Sequence, residues 1–192
     1  MAPFKEYDFD PRNLPQDLLV AIGLMMTCAA QTEFCVETAI AGCLGIDAEY
    51  GQAVTTHMAM PLRFSVLKSA AEIRIDDLDA LDELDDLIER LEQAFGKRND
   101  IVHHAWCRDP DTNKVFTVKE SARVSVQTDL IPMSVNQVKS DALFVYQAGM
   151  DLMSFVMLRR LVPPPTPLRP RGHKSKAARK KRRESKLGGT SA

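Results

Sequence analysis

The first long run of apolar positions covers residues 14–44 and predicts a buried helix. Asn13 and Pro15 are typical of a helix start, with the asparagine as cap, and Gly45 is typical of a helix end. Apolar side chains are so dense that most sides of this helix must be covered, which predicts the central helix of a bundle or a helix at a dimer interface. The densest positions are Leu18, Leu19, Ile22, Leu24, Met25, Cys28, Phe34, Cys35 and Ile40.

Two further helices are predicted from the spacing of apolar residues. Pro61 opens the first, which continues to about Ile75. The second, residues 76–96, repeats Leu, Ile or Phe every three to four positions, and nine acidic residues fill its other face. A calcium-binding loop of the EF-hand type needs a glycine at its sixth position, which this segment lacks. The acidic residues are therefore interpreted as a solvated helix face.

After His104 the pattern changes from helical to alternating. The segment 109–113 has the composition of a turn and separates two short alternating runs. This predicts a small antiparallel hairpin or three-stranded flap over about residues 105–130. Ser134-Val135-Asn136-Gln137 then matches a helix-capping box, and its helix is predicted to continue to about Leu161.

These elements predict an all-α fold, a four- to five-helix bundle with a small β-hairpin or flap inserted before the last helix. The prolines that begin at Pro163 forbid a direct continuation of that helix. The expected organisation is an N-terminal extension over residues 1–12, a helical domain over residues 13–161, and a Pro-rich linker with a disordered basic tail over residues 162–192.

The charge distribution separates the tail from the rest of the chain. Residues 169–186 contain ten Lys or Arg residues and one acid, whereas the remainder carries 15 basic and 25 acidic residues, a net charge of −10. Such a tail could bind RNA or DNA through phosphate contacts, act only as a solubilising segment, or fold back onto the acidic face until RNA displaces it. The candidate contact residues are Lys174, Lys176, Arg179, Lys180, Lys181, Arg182 and Arg183.

The four cysteines have neither zinc-type spacing nor a CxxC motif, and three of them recur at seven or eight residues along the first helix. They are interpreted as small core side chains in a reducing cytosol. No cleavable signal peptide is recognisable, and polar side chains interrupt the longest apolar segments. The protein is therefore predicted to be soluble and cytoplasmic, with no membrane span, metal site or cofactor.

One short segment, Arg98-Asn99-Asp100-Ile101-Val102-His103-His104, concentrates chemically active side chains at the end of the acidic helix. A guanidinium can hold a phosphate bidentately, and an imidazole can transfer a proton near neutral pH. Together they are the minimum parts for cleaving an RNA phosphodiester without a metal. A structural alternative is that Arg98 caps the helix or pairs with a carboxylate, while His103 is a half-buried, hydrogen-bonded residue. The carboxylates in question are Glu33, Glu89 and Glu92.

The pattern Arg98-Asn99-x3-His103 resembles the signature of HEPN domains, which are small all-α domains that usually form dimers. The resemblance extends over roughly residues 13–161, although the flap after the motif is less usual for the family. Many HEPN proteins are metal-independent endoribonucleases of toxin–antitoxin, phage-defence or RNA-processing systems, and others are non-catalytic binding modules. The resemblance implies that Arg98 and His103 are catalytic and that Asn99 assists them.

Supporting roles are expected for two other residues. Glu33, in the first helix, is expected to orient Arg98. His104 is the weaker histidine, because adjacent helical residues point about 100° apart and only one of the pair should face the site. Trp106 could stack on a base, but packing within the flap is favoured.

The reaction that the resemblance implies is transesterification, in which the ribose 2′-OH attacks the adjacent phosphorus and leaves a 2′,3′-cyclic phosphate and a 5′-OH. His103 would act as general base or acid, and Arg98 would stabilise the charge of the transition state. Asn99 would orient the phosphate or the imidazole. Because one histidine per site is too few for a separate acid and base, a homodimer that brings two motifs into one cleft is expected.

Two functions remain open from the sequence. One is an RNA-cleaving HEPN enzyme that acts as a toxin or phage-defence effector, with RNA and an antitoxin protein as partners. The other is a non-catalytic HEPN-like helical dimer that binds nucleic acid, a nucleotide or a protein partner. The presence of Arg98, Asn99 and His103 together favours the first.

Overall fold

The computed structural model describes residues 6–121, 127–167 and 176–188. Within these ranges the chain is mostly helical and adds one small antiparallel sheet, so the broad fold prediction is confirmed. The elements in chain order are a 3-10 helix Pro11–Asn13, α1 Gln16–Cys43, α2 Ala48–Thr55, α3 Met60–Arg74, α4 Leu78–Val102, β1 Ala105–Arg108, β2 Val115–Ser121, β3 Gln127–Met133, α5 Val135–Leu158 and α6 Lys176–Gly188.

Helix α1 does not begin with the predicted cap. Asn13 belongs to the preceding 3-10 helix, and its side-chain amide donates to the Asp8 carboxylate at 2.9 Å. Pro15 therefore occupies the N-cap position without a side-chain hydrogen bond. The predicted end is confirmed, because the helix stops at Cys43 and Gly45 adopts a positive φ of 65°.

Helices α1 and α5 run parallel and form the centre of the core. The fully buried Thr32 hydroxyl donates to the Val145 carbonyl oxygen at 2.8 Å. Gly149 lies against the same threonine, and a Cβ atom added there would be 2.7 Å from its Oγ1. Further along, Gly42 of α1 packs against the backbone of Leu161, just beyond the end of α5. Glycine at both contacts allows the two helices to approach closely.

Helix α4 runs antiparallel to α5, and ion pairs connect the two along their length. Lys97 donates to Asp141 at 2.7 Å, and Arg90 donates to Asp151 at 2.6 Å. Asp141 is only 7% exposed, so the ammonium group compensates a nearly buried carboxylate. At the other end of the bundle, Arg159 pairs with two acids at the start of α4.

Helix α4 buries its apolar stripe and exposes its acids, as its sequence predicts. Asp77 caps it by accepting hydrogen bonds from the backbone N–H groups of Asp79 and Ala80. Near the other end, Phe95 packs against Phe64 of α3 with the rings 5.9 Å apart and inclined by 65°. The first turn of α3 is therefore held beside the last turns of α4.

The three strands form one antiparallel sheet in the order β1-β2-β3. Its first turn is the predicted one, because the Asp109 carboxylate accepts hydrogen bonds from the Asp111 N–H and the Thr112 hydroxyl. The flap predicted over residues 105–130 is thus confirmed, and β3 extends it by three residues. Residues 122–126, which include part of the predicted alternation, lie outside the described residues.

The described part of the N-terminal extension pairs with the sheet. Asp8 and Arg108 exchange two backbone hydrogen bonds, of 2.9 and 2.8 Å, from the N–H of each to the carbonyl oxygen of the other. Tyr7 packs edge-on against Phe116 of β2, with the ring centroids 5.8 Å apart. The described part of residues 1–12 is therefore attached to the helical domain through the flap.

Two helices differ from the expectation. Helix α2, capped by Asp47, lies in a segment for which the sequence pattern predicts no element. Helix α6 lies in the tail, so the prediction of disorder is wrong for residues 176–188. The lysine, arginine and alanine residues of α6 have high helix propensity, and Lys180 lies 3.8 Å from Glu184 in an i,i+4 pair.

All four cysteines are free and buried, as predicted for core side chains. Burial raises the pKa of every one of these thiols, and it raises the pKa of Cys43 to about 11. At neutral pH the thiolate, which is the nucleophilic form, is therefore strongly disfavoured.

By length and composition alone, α1 and α5 could each cross a membrane, since their most apolar windows have mean hydropathies of 1.6 and 1.2. The polar interruptions in the sequence thus do not exclude a span by this measure. Both segments are also the central helices of the bundle, and such core helices pass the same test. The soluble, cytoplasmic state remains a prediction.

Candidate functional site

The last turns of α4 place Arg98 at the end of the buried stripe of that helix. Arg98 follows Leu91 by seven residues and Leu84 by fourteen, and both leucines are almost fully buried. A spacing of seven returns a side chain to the same helix face. The guanidinium is therefore half-buried where the core meets the solvent.

The side chains of Arg98 and His103, the two residues selected from the motif, are in direct contact. The Arg98 Nη1 and the His103 Nε2 are 2.7 Å apart, and the same Nη1 donates to the Asn99 Oδ1 at 3.1 Å. A guanidinium only donates hydrogen bonds, so Nε2 must be the acceptor. The contact therefore uses the lone pair of Nε2, which is the atom that could accept a proton from a substrate.

The Arg98 guanidinium retains unused donor capacity. Its Nε is buried, and no atom of the described residues accepts a hydrogen bond from it. The salt bridges among the described residues do not include Arg98, although the acidic face of α4 lies on the same helix. A buried donor without an acceptor is costly unless an anion or a water completes it. The site is thus suited to bind an anionic group.

The two adjacent histidines have different surroundings. The His103 ring is exposed and contacts Arg98, whereas His104 is half-buried and its Nδ1 lies 3.8 Å from the Asp100 Oδ1. Lys119 of β2 lies 3.8 Å from the same carboxylate oxygen. The two rings therefore face different groups, as the sequence predicts.

Glu33 does not orient Arg98, contrary to the expectation. Its carboxylate lies 3.9 Å from Arg63 of α3, and Arg63 also donates to Glu37 at 3.0 Å and to the Met58 carbonyl oxygen. Arg63 is only 7% exposed, so it requires these acceptors. Glu33 therefore belongs to a separate polar cluster between α1 and α3. The sequence pattern predicts the face of α1 on which Glu33 lies, but it does not predict which helix packs against that face.

Trp106 packs within the protein, which agrees with the favoured interpretation. Its Nε1 donates to the Ile101 carbonyl oxygen at 2.9 Å, and the ring packs against the core. This contact fastens the first residues of β1 to the last turn of α4, directly beside the motif.

A pocket adjoins Asn99, and the sequence pattern did not predict it. It has a volume of about 300 Å³ and lies between the first turn of α3 and the last turns of α4. An isolated glycine inside a helical pattern, Gly96, is the signal that could have indicated it. The lining residues are Met60, Pro61, Phe64, Glu92, Phe95, Gly96 and Asn99.

The tail residues divide into described and undescribed groups. Lys174 lies outside the described residues, and for Lys176 only the backbone is described, as the first residue of α6. The other five basic candidates are exposed on α6, and i,i+3 and i,i+4 spacings place most of them on one face. Those five are Arg179, Lys180, Lys181, Arg182 and Arg183.

Within residues 6–121, 127–167 and 176–188, no group of three or more His, Cys, Asp or Glu side chains could hold a metal ion. Compared with protein-family models, curated proteins and solved structures, the chain shows no match. The HEPN resemblance therefore remains a prediction from the sequence.

Proposed function

We propose that this protein is a metal-independent endoribonuclease of HEPN type that acts through Arg98 and His103. The observation that carries the proposal is the 2.7 Å contact between the two side chains at the solvent-exposed end of α4. A fixed cation, whose buried Nε has no acceptor among the described residues, lies beside an imidazole and so provides a phosphate-binding group and a proton acceptor together.

In the proposed reaction, the scissile phosphate replaces the His103 imidazole on the Arg98 guanidinium. The released Nε2 takes the proton of the ribose 2′-OH as its oxygen attacks phosphorus. The bond from phosphorus to the 5′-oxygen breaks, and that oxygen receives a proton from a second, protonated imidazole. The products are a 2′,3′-cyclic phosphate and a 5′-OH, while Arg98 stabilises the charge that develops on the phosphoryl oxygens. Asn99 holds the guanidinium through its Oδ1.

The second imidazole is proposed to come from a second copy of the chain. The exposed side chains of α1 from Val20 to Phe34 carry no charge and include Leu24, with Val20 and Phe34 more than half exposed. At 1.5 Å per residue this stripe is about 21 Å long. A two-fold dimer through α1 would cover it and pair two motifs.

Light scattering at micromolar concentration tests this assembly. Wild type should have the mass of a dimer, and Phe34→Glu should reduce the mass to that of a monomer. Lys139→Glu, which changes an exposed residue of α5 that is already charged, serves as the control. A monomeric wild type would contradict the dimer.

The basic face of α6 is proposed to hold the RNA backbone outside the catalytic site, through contacts that salt weakens. In a toxin or phage-defence system of the family's kind, RNA would be the substrate and an antitoxin protein the partner that restrains cleavage. The alternative is a non-catalytic helical dimer that binds nucleic acid, a nucleotide or a protein. The uncharged α1 stripe is the observation that favours it, because such a face also suits a helical protein partner.

The decisive experiment incubates purified protein with total RNA in EDTA. Wild type should produce fragments that end in a cyclic phosphate, and Arg98→Ala and His103→Ala should each abolish cleavage with fold and mass unchanged. Arg98→Lys should also be poor, because an ammonium cannot reproduce the bidentate fork. His104→Ala, the matched control, should be milder. If the protein is instead the non-catalytic helical dimer, wild type should not cleave RNA, and Arg98→Ala and His103→Ala should lower the melting temperature. Cleavage that persists in His103→Ala would exclude His103 as the proton acceptor.

A further inference from the structure

The pocket beside Asn99 has the shape and chemistry of a site for one nucleobase. We infer that it binds a base next to the scissile phosphate, with a preference for bases that present hydrogen-bond donors, guanine above all. The inference rests on the proposed function, because it assigns the substrate contacts of the same site.

Two helices build opposite walls of this pocket. On α4, Glu92, Gly96 and Asn99 follow at spacings of four and three residues and therefore lie along one face. On α3, Met60 and Pro61 of the first turn form the other wall. Because Asn99 also accepts a hydrogen bond from Arg98, the pocket is continuous with the catalytic motif.

The floor of the pocket is aromatic. Phe64 and Phe95 are 3% and 5% exposed, and they pack against each other with ring centroids 5.9 Å apart. A flat base gains by packing on aromatic and thioether groups of this kind. The volume of about 300 Å³ is at the lower end for ligand sites, which suits one base and not a larger ligand.

Gly96 keeps the middle of the pocket open. It lies inside α4, where glycine is less favourable than alanine, and it has no positive φ that would require glycine. A Cβ atom added there would meet nothing within 4 Å. The residue thus has no packing reason to be glycine, whereas any larger side chain would project into the pocket.

The polar groups of the pocket indicate the type of base. Glu92 is exposed and, as a carboxylate, only accepts hydrogen bonds. Guanine presents two adjacent donors on its Watson–Crick edge, cytosine and adenine present an amine, and uracil presents a single imide N–H. A carboxylate at this position therefore favours guanine and disfavours uracil.

The test is methyl NMR of the full-length protein with ¹³C-labelled methionine. The chain has nine methionines, so the spectrum is simple, and Met60→Leu assigns the resonance that lies in the pocket. Titration with the 3′-monophosphates of guanosine, adenosine, cytidine and uridine should shift the Met60 methyl, most strongly and at the lowest concentration with guanosine. Met157, exposed at the other end of the bundle, should not respond.

Matched variants separate the pocket from the rest of the helix. Gly96→Leu should weaken guanosine 3′-monophosphate binding by about tenfold or more, as expected when base stacking is lost. Asp86→Leu, which places the same side chain on an exposed position of α4 ten residues before Gly96, should bind like wild type. Glu92→Gln should reduce the preference for guanosine over uridine. An unshifted Met60 methyl, equal binding of uridine, or equal binding by Gly96→Leu would overturn the inference.

The outcome is distinguishable from that of the nuclease proposal. His103→Ala should keep the Met60 response and lose RNA cleavage. A Met60 response in a wild type that never cleaves RNA would support the base site and contradict the nuclease. Cleavage without any Met60 response would support the nuclease and overturn the base site.

Discussion

Replacing Gly149 with alanine should destabilise the protein, because it disturbs a close contact between α1 and α5. An added Cβ would lie 2.7 Å from the Thr32 Oγ1 and 3.0 Å from the Thr32 Cα. The hydroxyl could move away only by giving up its 2.8 Å hydrogen bond to the Val145 carbonyl oxygen. The Cα could move only if α1 shifted as a whole.

Three contributions determine the magnitude of the effect. Overpacking of a well-packed core costs about 1–3 kcal/mol. Loss of the buried hydrogen bond costs about 1 kcal/mol. The better helix propensity of alanine offsets this by about 1 kcal/mol. The free energy of unfolding should therefore decrease by about 1–3 kcal/mol.

Urea unfolding followed by circular dichroism measures this change, at one protein concentration because dimerisation would add to stability. Gly96→Ala is the matched control, since it is also a glycine inside a helix and its added Cβ meets nothing within 4 Å. That variant should gain about 0.5–1 kcal/mol, from helix propensity alone. If Gly149→Ala is as stable as Gly96→Ala, the close contact does not exist in solution.

Three further predictions concern the thiols, the arginine cluster and the tail. The buried thiols should react with a disulfide reagent in urea and resist it in the native protein at pH 8, and fast labelling of the native protein would contradict their burial. Because burial raises the pKa of Cys43 from 9.0 to about 11, the free energy of unfolding should also decline as the pH rises through that interval. Glu33→Gln should leave RNA cleavage unchanged, and a loss of cleavage would support the prediction that Glu33 orients Arg98. Arg63→Ala should lower the free energy of unfolding by at most roughly 3 kcal/mol, because it leaves Glu37 without its buried cation. Deleting residues 163–192 should leave the melting temperature nearly unchanged while RNA affinity falls and its salt dependence flattens, whereas an unchanged salt slope would show that α6 only solubilises the chain.

Features that depend on a short-range pattern could be predicted from the amino-acid sequence. The leucine spacing and the Asp77 cap specify α4, and Ser134 caps α5 as predicted by accepting a hydrogen bond from the Gln137 N–H. The turn at Asp109 is similarly local. Each of these arises from residues within a few positions of each other, so neither the partner helices nor the overall packing need be known.

Arg98 and His103 could be selected as candidates from the sequence, because they lie five positions apart at one predicted helix end. That Arg98 would be half-buried follows from its place on the stripe of Leu84 and Leu91. Its unpartnered Nε could not be foreseen, since that depends on which side chains the other helices bring to it.

The contacts between helices, in contrast, depend on how the helices pack and could not be predicted from the sequence. Glu33 faces Arg63 and not Arg98, because the rotation of α1 against α3 determines which cation its carboxylate meets. The pocket beside Asn99 exists because the Phe64 and Phe95 contact sets the first turn of α3 against the end of α4. Such pairings join residues that are distant in the chain, and small changes in helix rotation or offset exchange one partner for another.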